Sequence, residues 1–176
     1  MVENLKTTRY RNGDTIPYFS DNTQLQNSET GAFCDYNNTP SNSSTYGRLY
    51  NWYAIFNPQL CPEGWHVPFQ SDWETLIDYL GGEAIAGGKL KEAGMSHWLA
   101  PNTGSNNSSG FTGLPGGCRT YGKFKDLGYR GYWWTFNIYY GSTDGIFWSL
   151  YYNNALINQG SSYRNSCFSV RCVKYK

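Results

Sequence analysis

The sequence predicts an α+β fold: two short helices, small antiparallel sheets and long loops. Three observations carry that prediction. A helical stripe with start and stop signals runs from Ser71 to Leu80. Beyond Asn102, glycine divides the chain into short aromatic segments of strand composition. No repeat or linker interrupts the 176 residues, so 1–176 reads as one domain with enough length for a sizeable core.

Taken in order, Leu5 to Tyr10 and Thr15 to Phe19 flank an Asn12-Gly13 turn signal and predict a hairpin, with Pro17 marking an edge. Ala32 to Tyr36 predicts a strand ended by the polar stretch Asn37 to Thr45. Leu49, Trp52, Tyr53 and Phe56 have helical spacing within Tyr46 to Phe56, which Asn57-Pro58 stops. In the next helix Ser71 and Glu74 match a capping box, and Asp72 suits the positive helix end. Trp73, Leu76, Ile77 and Leu80 form its apolar stripe, and Gly81-Gly82 ends it. A second helix is expected from Glu83 to Ala93, weakened by Gly87-Gly88, and Asn102 to Gly110 reads as a loop. Strands are expected at Phe111 to Leu114, Gly117 to Tyr121, Gly131 to Phe136, Gly145 to Tyr152 and Cys167 to Lys174.

Composition narrows the function. The net charge of +1 gives no electrostatic reason for a nucleic-acid or anionic-lipid partner. No apolar run is long enough for direct membrane insertion, and no export signal is visible in the chain. Aromatic residues make up 18% and charged residues only 15%, so large flat side chains must serve both the core and the surface. None of the five cysteines forms a C-x-x-C pair and there are only two histidines, which argues against a zinc site. On composition alone, five buried thiols remain an open alternative to disulfides. No nucleophile elbow, phosphate loop or paired-carboxylate motif is present, so no catalytic residue and no cofactor is expected. His66 and His97 read as a hydrogen-bonded structural residue and a loop residue.

Several segments together resemble one bacterial domain family. They include Glu3-Asn4-Leu5-Lys6-Thr7-Thr8, Tyr46 to Ala54 (YGRLYNWYA), Cys61 to Pro68 (CPEGWHVP), Gly87 to Glu92 (GGKLKE), Gly110 to Gly117 (GFTGLPGG), Tyr132-Trp133-Trp134 and Phe168 to Lys174 (FSVRCVK). In this order they resemble the Fibrobacter succinogenes major paralogous domain. That resemblance implies a C-type lectin-like fold in the branch of the formylglycine-generating enzymes. It is also similar to the variable proteins of diversity-generating retroelements, in which adenine positions of one gene segment are rewritten. It further implies nested bridges, Cys61 with Cys172 and Cys118 with Cys167, leaving Cys34 free.

The C-terminal stretch carries a check on the retroelement idea. From Tyr132 to Ser166, Tyr, Asn and Ser fill 16 of 35 positions, and Lys, Glu and Met are absent. Randomising the adenines of an AAY codon yields Tyr, Ser, Ile, Leu and others, but never Lys, Glu, Gln, Met or Trp. Trp133, Trp134, Trp148 and Gln159 therefore read as scaffold. Tyr with Ser, Asn and Gly is also the chemistry of antibody paratopes. The diversified segment is placed at about 136–165. Tyr139, Tyr140, Ser142, Ile146, Tyr151, Leu156, Asn158, Ser161, Ser162 and Tyr163 are expected to share one exposed ligand-binding face, with Trp133, Trp134 and Phe168 buried beneath.

The function expected is recognition of a protein or glycan on a cell or phage-host surface. The chain would act outside the cell, on a bacterial surface or on a phage virion. The alternatives are an undiversified adhesin module, a calcium-dependent lectin and a formylglycine-generating-type enzyme. The Glu-Pro-Asn, Gln-Pro-Asp and Trp-Asn-Asp tripeptides of calcium lectins do not occur, and Cys167 with Cys172 is the close pair an enzyme would use.

Overall fold

The computed structural model describes residues 1–137 and 144–175. It is an α+β structure with few helices and small antiparallel sheets. The helices are α1 (Asn22–Gln26), α2 (Pro40–Tyr46), α3 (Trp52–Phe56), α4 (Gln70–Tyr79) and α5 (Glu83–Leu90). The strands are β1 (Phe33–Cys34), β2 (Leu49–Asn51), β3 (Trp65–His66), β4 (Gly116–Thr120), β5 (Lys123–Leu127), β6 (Arg130–Thr135), β7 (Asp144–Tyr151), β8 (Ile157–Tyr163), β9 (Cys167–Phe168) and β10 (Val173–Lys174). One sheet has the order β1-β2-β9-β4-β5, a second is β6-β7-β8, and β10 pairs with β3.

Strand pleating explains the Trp133-Trp134 pair. Successive side chains in β6 point to opposite faces, and the two indoles enter different cores. Trp134 packs with Tyr50, Trp52, Ile55 and Phe168, and donates its indole N–H to the Tyr50 carbonyl at 2.7 Å. Trp133 packs with Trp73, Ile77, Leu80, Trp148 and Leu150, and donates to Asn4 Oδ1 at 2.8 Å. Each ring brings a large apolar area and a satisfied polar tip. Trp133, Trp134 and Phe168 are all buried, and Trp148 joins them.

The predicted stripe of α4 packs as expected: Trp73, Ile77 and Leu80 are buried and Leu76 is partly so. Its cap differs. The helix begins at Gln70, and Asp72 accepts the Phe69 backbone N–H at 2.8 Å. Ser71 lies inside the first turn, and Glu74 accepts from Gln70 Nε2 instead. The Ser71 and Glu74 box is thus displaced, with Asp72 in the reciprocal role. Asp72→Ala is expected to cost about 1 kcal/mol, and Ser71→Ala much less, in parallel thermal unfolding experiments.

Other departures follow from tertiary pairing overriding local pattern. The segment 46–56 is not one helix: Leu49–Asn51 pairs on both sides, with β1 and β9, and the helix starts only at Trp52, where Asn51 Oδ1 caps the Ala54 N–H. The polar stretch after Asn37 contains α2, with Pro40 opening it. The expected N-terminal hairpin reduces to one isolated bridge, Arg9 with Thr15. Phe111 to Leu114 contributes only a bridge from Gly113 to Lys91, and the last strand divides into β9 and β10. The second helix stops at Leu90, short of Ala93.

Candidate binding surface

The pleat of β7 and β8 decides where the expected contact residues go. Ile146 pairs with Ser161 and Asp144 with Tyr163, which puts Ile146, Ser161 and Tyr163 on one face. Ser149 pairs with Asn158 and Gly145 with Ser162, which puts Tyr151, Asn158 and Ser162 on the other. Leu156 is exposed in the turn before β8. Tyr139, Tyr140 and Ser142 lie outside the described residues. One shared face is therefore corrected to a division between two, because side chains alternate along each strand. Ser161 and Tyr163 are exposed, while Ile146, Tyr151, Asn158 and Ser162 are half-buried.

At the Tyr163 end, three distant segments converge on a cavity of about 300 Å³ lined by Leu25, Gln26, Tyr121, Gly122, Tyr163, Asn165 and Ser166. Tyr121 and Tyr163 meet edge to face, with ring centroids 5.4 Å apart. They are 67% and 54% exposed, which makes them the open rim of the cavity. Partial desolvation by its neighbours first, then the Tyr163 phenol beside it, holds the Tyr121 hydroxyl above its ordinary pKa, so it is a neutral donor and acceptor. Asn165 Nδ2 donates to the Gln26 carbonyl at 2.5 Å, and the two hydroxyls of Ser162 and Ser166 lie 2.8 Å apart.

Local structure builds this arrangement. Tyr121 and Gly122 are the two turn residues between β4 and β5, with φ of +50° and +72°. Both positive values are those of a type I′ hairpin turn. Glycine suits its place, where a Cβ would come within 2.8 Å of Asn22; Tyr121 occupies a region that bulky residues rarely adopt. The other wall is α1, capped by Asp21, whose carboxylate accepts from the Thr23 and Gln24 N–H groups. Arg119 fixes α1 against the sheet. Its fully buried guanidinium donates to the Phe19 carbonyl at 2.6 Å, to the Ser20 carbonyl at 3.0 Å and to Asn22 Oδ1.

The opposite end of β7 and β8 is held by Lys91. Its buried ammonium donates to the carbonyls of Thr103, Tyr151 and Asn154 at 2.9, 3.1 and 2.9 Å. Gly87 of α5 allows this approach, since a Cβ there would lie 2.1 Å from the Leu156 carbonyl oxygen. Tyr151 and Leu156 are thus presented from an anchored turn.

The cysteines divide differently from the nested pattern. Cys61 and Cys172 are bridged, with Cα atoms 5.9 Å apart, whereas Cys34, Cys118 and Cys167 are buried free thiols. The Cys118–Cys167 bridge is overturned by register. Arg119 is the residue opposite Cys167, so the adjacent Cys118 points to the other face of the sheet. Burial, followed by the Asp126 carboxylate, pushes the Cys118 thiol up to about 12, which leaves it inert. Cys167 and Cys172, the close pair of the enzyme alternative, occupy separate environments, and Cys172 is already oxidised. Among the described residues no group of three or more His, Cys, Asp or Glu is placed to hold a metal ion.

Of the cavity residues, only Tyr163 was among those singled out from sequence. From sequence a strand is expected to end at Tyr121, which misses the turn that Tyr121 and Gly122 form. Leu25, Gln26 and Asn165 have no local signature, because their partners are up to 139 positions away.

The family model described as the Fibrobacter succinogenes major domain matches residues 1–174. No curated protein sequence and no solved structure matches the chain.

Proposed function

The chain belongs to the Fibrobacter succinogenes major domain family, and from that premise we propose that it is a recognition domain of C-type lectin-like fold rather than an enzyme. Its ligand, a protein or glycan on a cell or phage-host surface, is met around Tyr163, and the surrounding surface is the part a diversity-generating retroelement would vary. The observation that carries this reading is the pair of exposed tyrosines at the rim of the cavity, in a domain whose Trp133, Trp134 and Trp148 are buried. Rigid aromatic rims of this kind supply contact area at low entropic cost. The half-buried and exposed Ile146, Ser161, Ser162 and Tyr163 are all codon types reachable from AAY; of the four unreachable residues Trp133, Trp134 and Trp148 are buried, while Gln159 is exposed and stands as an unvaried surface position. That division is what a scaffold tolerant of surface change requires.

Two measurements test the reading. Sequencing the locus from several isolates is expected to show substitutions clustered at exposed positions between 136 and 165, beside a near-copy of the segment differing at adenines. Substitutions spread evenly over the gene would remove the diversified part of the proposal. Separately, Tyr163→Ala is expected to weaken binding of a captured ligand by about 2 kcal/mol while changing stability by less than about 0.5 kcal/mol. Unchanged affinity for every ligand would sink the binding site.

A further inference from the structure

We propose that the cleft rimmed by Tyr121 and Tyr163 takes an uncharged saccharide, held by neutral side chains and no metal ion; this rests on the recognition reading and names its ligand class. The lining decides the class. None of its seven described lining residues is charged, so the lining itself offers no counter-ion for an anionic sugar, a phosphate or a charged peptide side chain. The nearby charges, Lys125 with its ammonium 5.9 Å from the Tyr121 ring centroid and Asp144 opposite Tyr163, are of opposite sign and stand at the rim. A single carboxylate at the rim is far from the six to eight oxygen ligands that calcium takes.

What the cleft does offer is matched to hydroxyl groups. Two phenols, two amides and one hydroxyl line it, and each of those groups can both donate and accept. Saccharide hydroxyls have the same dual character. Asn165 sharpens the match. Its amide nitrogen is committed to the Gln26 carbonyl, which fixes the amide, while its Oδ1 is enclosed and has no hydrogen-bond donor among the described residues. An enclosed acceptor without a donor is unfavourable, and a ligand O–H that displaces the side chains closing over it is the group that relieves it. The tyrosines complete the site. Edge-to-face packing leaves ring surface on each exposed to solvent, and the C–H face of a pyranose stacks on such surface. The volume of about 300 Å³ stands at the lower end of the range for small-molecule sites and suits one or two pyranose rings. A protein partner would instead favour a deep apolar anchor pocket, and Leu25 is the one aliphatic side chain among the described lining residues.

Saturation-transfer NMR tests the assignment. The probes are the methyl pyranosides of glucose, galactose, mannose and N-acetylglucosamine, each at up to about 20 mM, in the presence of EDTA. At least one is expected to bind in the millimolar range, with no change when EDTA is omitted and calcium is added. Tyr121→Ala, a surface change, and Asn165→Ala, which also removes the tie to Gln26, both checked for folding by circular dichroism, are each expected to weaken it roughly tenfold. Binding by no pyranoside, or equal binding by both folded variants, overturns the inference. If the sugars fail but a protein ligand depends on Tyr163, the recognition reading stands and the saccharide assignment falls. If no ligand depends on Tyr163, both fall.

Discussion

Replacing Cys61 and Cys172 together by serine is expected to lower the unfolding free energy by about 4 kcal/mol. The bridge joins residues 111 positions apart, so its removal frees most of the unfolded chain from a long closed loop. In the folded protein both sulfurs are buried in the core that holds Trp134 and Phe168, so the serine hydroxyls also arrive where hydrogen-bond partners are scarce. For a chain of this length the midpoint of thermal unfolding is expected to fall by roughly 12 °C. A non-reducing peptide map of protein alkylated in denaturant is the companion measurement. It should show one linked pair, Cys61 with Cys172, and three alkylated thiols at 34, 118 and 167. A linked Cys118–Cys167 peptide would contradict the sheet register described above. Because the bridge forms only where the surroundings are oxidising, protein made in a reducing cytoplasm should behave as the double serine variant does.

The sequence exposed the parts of this fold that follow from local periodicity. The α4 stripe is legible because Trp73, Ile77 and Leu80 recur at helical spacing, and the paired tryptophans are legible because apolar bulk in a short strand has to be buried. What stayed hidden depends on distant partners. β8 reads Ile-Asn-Gln-Gly-Ser-Ser-Tyr, with none of the apolar alternation that marks a strand; it is made a strand by its ladder with β7. Leu49–Asn51 has helical neighbours and helical spacing, yet pairing on both sides draws it into the sheet. The division of the expected binding residues between two faces was not legible either, since composition reports which residue types occur but not the register that orients them. The cleft is the extreme case: residues 25–26, 121–122 and 163–166 meet because Arg119 holds α1 and the chain before it against β4 while Asn165 bonds the Gln26 carbonyl. Lys91 was equally opaque. In the run Lys-Leu-Lys-Glu it has the signature of a solvated helix end, but it is fully buried.

That burial makes Lys91→Met the second large expected effect, a loss of about 3 kcal/mol of stability. The methionine fills similar volume but donates nothing, so the carbonyls of Thr103, Tyr151 and Asn154 lose their shared donor. Each acceptor left unsatisfied costs about 1–3 kcal/mol, and the sum is offset in part because a buried charge no longer has to be desolvated. The damage should be local first. Hydrogen exchange is expected to rise in the turn at residues 152–156 before it rises in β6, since Lys91 ties that turn to the loop at Thr103. The pH dependence supplies an independent check. Burial pulls the Lys91 ammonium down to about 8, whereas in the unfolded chain it titrates near 10.4. Between those values the unfolded chain binds more protons than the folded one, so the contribution of this group to stability rises with pH. The stability difference between wild type and Lys91→Met should therefore widen from pH 8 to pH 10, as measured by urea unfolding of the two proteins side by side. Taking the difference cancels every titration the two share, such as that of the Cys118 thiol. A difference that stays constant across that range would mean that the three carbonyls hold the ammonium charged throughout, and a variant as stable as wild type would remove Lys91 as the anchor of the β7–β8 turn.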